Sequence, residues 1–169
     1  SSFKEAFSVT SPNGIWPAAA QCYIKEFPEN AIHIRSTVSE IGRMFYKRRS
    51  TNSVTAEGLA RTYTTTDFFT DELVIETMRD FICRGEFSEK NFFNYDLHDM
   101  FYWEHRNSKW QNVLCQEAEM ATDVFIPFNN RRLIMLFLGL PENDRKSASL
   151  HEAITKEMCP EIAKIPYIS

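Results

Sequence analysis

Apolar residues recur at helical intervals along almost the whole of this chain, and that periodicity sets the fold class before any other property is considered. From Pro17, which suits a first helical turn, Ala20, Tyr23, Ile24 and Phe27 fall at i, i+3, i+4 and i+7 until Pro28 stops the run. This predicts a helix over 17–26. Ile34, Val38, Ile41 and Phe45 repeat at i, i+4, i+7 and i+11 and predict a second helix over 32–48. The stretch 48–53 has no apolar residue and reads as a solvated loop, followed by a short helix near 55–63. Thr70 is placed to cap a further helix, Asp71 and Glu72 suit its positive end, Val74, Met78, Phe81 and Ile82 form its stripe, and Arg84-Gly85 closes it.

The segment 92–117 contains neither Pro nor Gly, and Trp103, Trp110, Val113 and Glu117 fall at i, i+7, i+10 and i+14. One long helix is expected, or two joined near Asn107-Ser108. Residues 123–128, broken by Pro127, read as an extended connection, because no second convincing strand is available to pair with them. Residues 133–138 are apolar on nearly every face, which predicts a short buried helix capped by Asn129 or Asn130. Ser149-Leu150-His151-Glu152 has the pattern of a capping box. It should start a helix with Leu150, Ala153, Ile154 and Met158 inward, stopped by Pro160, with the last residues extended on the surface. There is no internal repeat and no change of composition, so the expectation is an all-α fold, a single compact domain of about six helices over 1–169.

Composition narrows the function classes. With 169 residues, 43% of them hydrophobic and 14% aromatic, the chain can bury roughly 70% of its unfolded surface. Its net charge of −4 supplies no basic field for a phosphate backbone, so nucleic acid is not expected as a partner. No apolar run approaches the roughly 20 residues that span a bilayer, so no membrane is expected either. Cys22, Cys83, Cys115 and Cys159 stand far apart without a Cys-x-x-Cys pair, as in a reducing cytoplasmic compartment. The five glycines are scattered singly, which leaves no glycine-rich loop to cradle a phosphate. The chain opens at Ser1-Ser2-Phe3 without Met, and the expectation is a piece of a longer polypeptide.

Three groups of residues bear chemistry. Asp96, His98, Asp99, Glu104 and His105 offer metal-ligand types, but neither His at i, i+4 nor a repeated Glu-x-x-His occurs, so no metal is expected. Trp103-Glu104-His105-Arg106 with Lys109-Trp110 interleaves aromatics and cations. It reads either as a stacking surface or as two tryptophans of one core stripe, with Arg106 then the partner of a buried carboxylate. The third group is the stretch 117–133, where acids, a Pro-Phe element and two arginines precede an apolar helix ending in Leu140-Pro141. On composition alone, helix capping and surface pairing are favoured over a chemical role for it.

This third stretch resembles the C-terminal signature of the asparagine synthetase family, in which an acidic residue and a Met-Ala or Ser-Met lead to Glu-x-Arg-x-Pro-Phe-Leu-Asp, an Arg-Leu pair and a helix ending at Leu-Pro. The matching positions are Glu119-Met120-Ala121, Asp123, Pro127-Phe128, Arg132-Leu133 and Leu140-Pro141, and the resemblance covers about 100–160. Asp123 stands where the family has Glu, Phe125 where it has Arg, and Asn129-Asn130 where it has Leu-Asp. The family's Ser-Gly-Gly-x-Asp-Ser loop does not occur in the chain. The resemblance therefore implies the helical C-terminal segment of an ATP- and Mg²⁺-dependent amide-forming enzyme, not catalytic alone. Its nucleotide site would come from an upstream domain or a partner protein, with no cofactor on this chain itself. It further implies that Asp123 positions an intermediate or relays a proton, that Arg131, Arg132 and Arg106 orient anionic groups, and that Trp103, Trp110 and Phe128 build the supporting wall. The alternative is a non-catalytic helical module that binds protein through an aromatic-rich face.

Overall fold

Helices dominate the structure, as the 3.6-residue periodicity requires, and one pair of short strands joins them. The computed structural model describes residues 15–46, 53–147 and 149–165. In order these form α1 (Ile15–Glu26), β1 (Ile32–Ile34), α2 (Ala56–Tyr63), α3 (Glu72–Arg84), α4 (Leu97–Phe101), a π-helical stretch (Tyr102–Gln111), α5 (Asn112–Glu119), β2 (Asp123–Phe125), α6 (Arg131–Leu138), α7 (Glu142–Lys146) and α8 (Ser149–Met158). Short 3₁₀ turns at Ser39–Arg43, Thr66–Phe68 and Ile162–Lys164 complete them. The loop expected over 48–53 lies almost wholly outside the described residues, as do Pro166 and the residues after it. No helix among the described residues is long and apolar enough to cross a membrane.

The described residues form two compact units, one from those within 1–39 and 103–133, the other from those within 40–102 and 134–169. In the first, α1 packs against α5, and β1 pairs in parallel with β2 in the register Ile32↔Asp123, His33↔Val124, Ile34↔Phe125. Over 32–43 the expected helix is thus replaced by a strand and a 3₁₀ turn, and residues 47–48 of it lie outside the described residues. Ile32-His33-Ile34 alternates with period two, and β2 supplies the partner that the chain reading did not find for 123–128. Helix continuation beyond the strand is blocked at Val38, whose φ of 76° is outside the helical region. The Arg35 guanidinium donates to the Leu114 carbonyl at 3.5 Å, tying the end of β1 to α5.

In the second unit α2 packs on α3. Thr55 Oγ1 accepts from the Gly58 N–H and caps α2, while Asp71, not Thr70, caps α3 by accepting from the Val74 N–H. Tyr46, Tyr63, Phe81, Phe87, Phe101 and Tyr102 form its aromatic core, with ring centroids 4.6 Å apart at Tyr63–Phe101 and 4.9 Å at Tyr46–Tyr102. Asp96 caps α4 through the His98 and Asp99 N–H groups, so helix starts at 97; residues 92–96 turn instead, with positive φ at Phe93 and Asn94.

Gly42 permits close packing here, since a Cβ would lie 3.1 Å from His151 and 3.2 Å from Phe137, whose side chains would have to give by a few tenths of an ångström. Arg145 and Asp99 form a buried ion pair, their side chains 3% and 2% exposed, and the Arg145 Nε and Nη2 also donate to the Ile41 carbonyl at 3.2 and 2.7 Å. In this unit the buried carboxylate of Asp99 thus has Arg145 as its cation.

Two amphipathic readings change with the structure. Only Ile134, Phe137 and Leu138 of α6 are buried, whereas Met135 and Leu136 are exposed; Asn130 caps it, accepting from the Leu133 N–H at 3.2 Å. In α8, Leu150 and Ile154 are half-buried, but Ala153 is exposed and Met158 is 78% exposed. The Ser149 hydroxyl donates to the Asp144 carbonyl at 3.0 Å, fixing it to the end of α7.

Candidate polar cavity

A cavity of about 520 Å³ opens in the first unit, within the range of small-molecule sites. One wall is the helix through the π-helical stretch and α5, which contributes Trp103, Asn107, Gln111, Cys115 and Glu119 at intervals of four residues. An i→i+5 hydrogen-bonded turn holds more than the 3.6 residues of an α-helix, so residues four apart stay nearly in line through the wide stretch. Val124, Ile126 and Asn129, from β2 and the turn after it, face this wall, and Val38 closes one side. Val38 is buried in the left-handed region, a conformation that a β-branched residue holds only at a cost on the order of 1–3 kcal/mol.

The polar groups of the cavity are mostly amides. Gln111 is 2% exposed; its Nε2 donates weakly to Cys115 Sγ at 3.7 Å, and its Oε1 has no hydrogen-bond partner. The Asn107 Nδ2 and Oδ1 are both buried without a partner. An unmatched buried amide is costly, on the order of 1–3 kcal/mol per group, unless something outside the chain completes it. Asn112, Asn129 and the Ser108 hydroxyl lie nearer solvent, and Glu119 contributes the only charge among the described lining residues.

Of the residues singled out from the sequence, Trp103 reaches this cavity, together with Glu119 of the signature stretch. Arg106 instead stacks on Trp110, its guanidinium carbon 4.8 Å from the ring centroid. Trp110 is 47% exposed and so is not a core residue: seven residues no longer close two turns in the wide stretch, and it leaves the line of Trp103. Asp123 is exposed on the outward sheet face beside Ile32, Ile34 and Phe125. Arg131 and Arg132 are exposed in the first turn of α6, joined by no ion pair to another described residue. Phe128 is half-buried beside the cavity turn without lining it.

His33 and His105 both titrate below the usual imidazole range. For His33 burial acts first and the Arg35 charge second; for His105 burial precedes the charges of Lys109 and Arg106. Among the described residues no three His, Cys, Asp or Glu side chains converge as metal ligands. The residues present do not fit a nucleotide phosphate with its Mg²⁺ either, since the cavity offers one carboxylate, no cation and no run of glycine N–H groups. Asn107, Gln111 and Cys115 were not identified from the sequence, where Asn107-Ser108 reads as a joint between helices. The four-residue spacing from Trp103 is the signal that marks them. No protein-family model, no curated protein and no solved structure matches this chain.

Proposed function

We propose that this chain is the substrate-holding helical segment of an asparagine-synthetase-like, ATP-dependent amide-forming enzyme of the cytoplasm, whose nucleotide site is supplied by an upstream domain or a partner protein. The observation that carries the reading is that four residues of the resembling stretch, Glu119 on the helical wall and Val124, Ile126 and Asn129 facing it, line the amide-rich cavity. The cavity binds and shields the body of a substrate from water. Asp123, Arg131 and Arg132, all exposed, are available to groups brought by the nucleotide-bearing part, with Asp123 holding or relaying a proton and the arginines orienting anions. Arg106 and Trp110 brace the wall from outside through their cation–π contact.

The test is ATP-dependent pyrophosphate release by the natural full-length polypeptide. Release that falls at least tenfold in Asp123→Asn is expected. Absence of a nucleotide loop from that polypeptide and its partners, or calorimetric ATP binding by the present chain alone, would overturn the reading.

A second reading, a protein-binding module, draws on one feature. Ile32, Ile34 and Phe125 share the outward face of the two-stranded sheet and all are exposed. Loss of a partner on Ile34→Lys, with ATP chemistry absent throughout, is the result that favours it.

A further inference from the structure

The register of the strand pair fixes where its main-chain groups point. The Arg35 N–H donates to the Phe125 carbonyl at 2.9 Å, and with Ile34 opposite Phe125 this sets His33 and Arg35 toward β2. Ile32 and Ile34 therefore direct their N–H and C=O groups away from β2, and these groups bond no other described residue. Both residues are open to solvent, at 60% and 67% exposure. Apart from its shortness this edge is unguarded, since 31–35 holds no lysine or proline.

Two observations select what pairs with it. First, the outward residues flank His33 symmetrically. A two-fold axis at His33 sets Ile32 of one copy opposite Ile34 of the other, and each such pair exchanges two main-chain hydrogen bonds. The isoleucine side chains then meet across the axis on the outward face. The His33 ring lies on the opposite face, its centroid 5.3 Å from that of Tyr23, and because it titrates below the usual imidazole range the two copies bring no like charge to the axis at pH 7. Second, Glu29 precedes the strand and Arg35 follows it, so antiparallel copies bring each acid toward the other's cation. Among the described residues the Arg35 side chain makes only the long bond to the Leu114 carbonyl, at 3.5 Å, which leaves guanidinium donors for a carboxylate.

We propose that β1 is a self-pairing edge through which two copies of this chain join, antiparallel about His33, into one four-stranded sheet with the two β1 strands at its centre. The pairing supplies the further strands that two strands of three residues lack by themselves. A foreign strand would meet the same main-chain groups without the matching order of Glu29 and Arg35. The inference does not rest on the amide-forming reading, which the pyrophosphate assay tests separately.

The test is sedimentation equilibrium of the 169-residue chain from about 10 μM to about 1 mM, because an edge this short gives a weak dimer, with Kd on the order of 0.1 mM. A monomer–dimer equilibrium is expected in that range. Hydrogen exchange at the Ile32 and Ile34 N–H groups should slow as the dimer fills, while exchange at the Arg35 N–H, already in the ladder, should not change. Ile34→Pro removes an outward donor and no ladder bond, so it should weaken the dimer at least tenfold and leave the dilute chain folded. Ile34→Lys keeps every main-chain group and should weaken it as much, by setting a charge against the partner's strand. Glu29→Arg and Arg35→Glu should each pair at least fivefold less tightly than wild type, and an equimolar mixture of the two should pair as wild type does, since each acid again meets a cation. A chain still monomeric at the highest concentration, a dimer indifferent to both Ile34 variants, assembly beyond the dimer, or a mixture as weak as its parts overturns the inference.

Discussion

Replacing Arg145 with Leu should be among the most damaging single changes in the second unit. The substitution leaves the Asp99 carboxylate buried without its cation and removes two donors from the Ile41 carbonyl, at 3.2 and 2.7 Å in the native structure. Stranding one member of a buried ion pair costs about 3–5 kcal/mol. Leu recovers part of the packing of the arginine stem, so the expected loss is about 4 kcal/mol, or about 8–16 °C in Tm for a chain of this size. Arg145→Leu combined with Asp99→Leu removes both charges, and should be more stable than the single arginine variant and well short of the sum of the two singles. The control is Arg84→Ala at the Arg84–Asp80 pair, where the side chains are 81% and 50% exposed; its cost should stay within about 0.5 kcal/mol.

Because Trp103 and Trp110 belong to the first unit, while Tyr46, Tyr63 and Tyr102 belong to the second, the assay is urea unfolding followed by near-ultraviolet circular dichroism of the tyrosines. A loss below about 1 kcal/mol in Arg145→Leu, or strict additivity in the double variant, would refute the reasoning.

Further expectations concern other sites. Gly58→Ala puts a Cβ 1.9 Å from the Ser53 carbonyl oxygen, so the backbone before α2 must move; a drop in the urea midpoint at least as large as that of Thr55→Ala, about 1 kcal/mol for a lost cap, is expected. Acidification should lower stability: His33 and His105 protonate less readily folded than unfolded, so the unfolded chain gains protons below about pH 6.5 that the folded chain takes up only at lower pH. Urea midpoints at pH 7.5, 6.5 and 5.5 check this, and an unaltered slope in His33→Gln/His105→Gln would contradict it. Asp123→Asn, at an exposed position, should change stability by less than about 0.5 kcal/mol in the same unfolding assay, so any loss of activity it causes is chemical.

The apolar stripes of α1 and α3 were legible from the chain, and both helices lie where that spacing puts them, while α2 lies where a short helix was expected after the solvated loop. The strand pair was not legible, since β1 and β2 are three residues each and neither is stable without the other, a partnership that only the fold reveals. The core-stripe reading of Trp110 fails for a different reason, while the alternative of a cation over its ring matches the Arg106 contact. Placing Trp103 and Trp110 on one face assumes 3.6 residues per turn, and the π-helical stretch breaks that assumption in the very helix that lines the cavity. Asn107 and Gln111 follow Trp103 at four-residue intervals, a spacing that shares a face in either kind of helix and that marks the cavity wall in the sequence. Arg145 stands in a short, highly charged segment that looks like surface, and the chain gives no sign that it reaches the Asp99 carboxylate 46 residues away.

The central claim about the cavity wall is that the buried Gln111 amide adds nothing to the fold, and the free energy of unfolding of Gln111→Leu tests it most directly. Leu keeps nearly the volume of Gln, gives up only the weak bond to Cys115 and removes an unmatched carbonyl from a position 2% exposed. Stability equal to wild type or higher by about 1–2 kcal/mol is the predicted result. A loss of about 2 kcal/mol or more would show that Gln111 holds the helix together, and would contradict the claim.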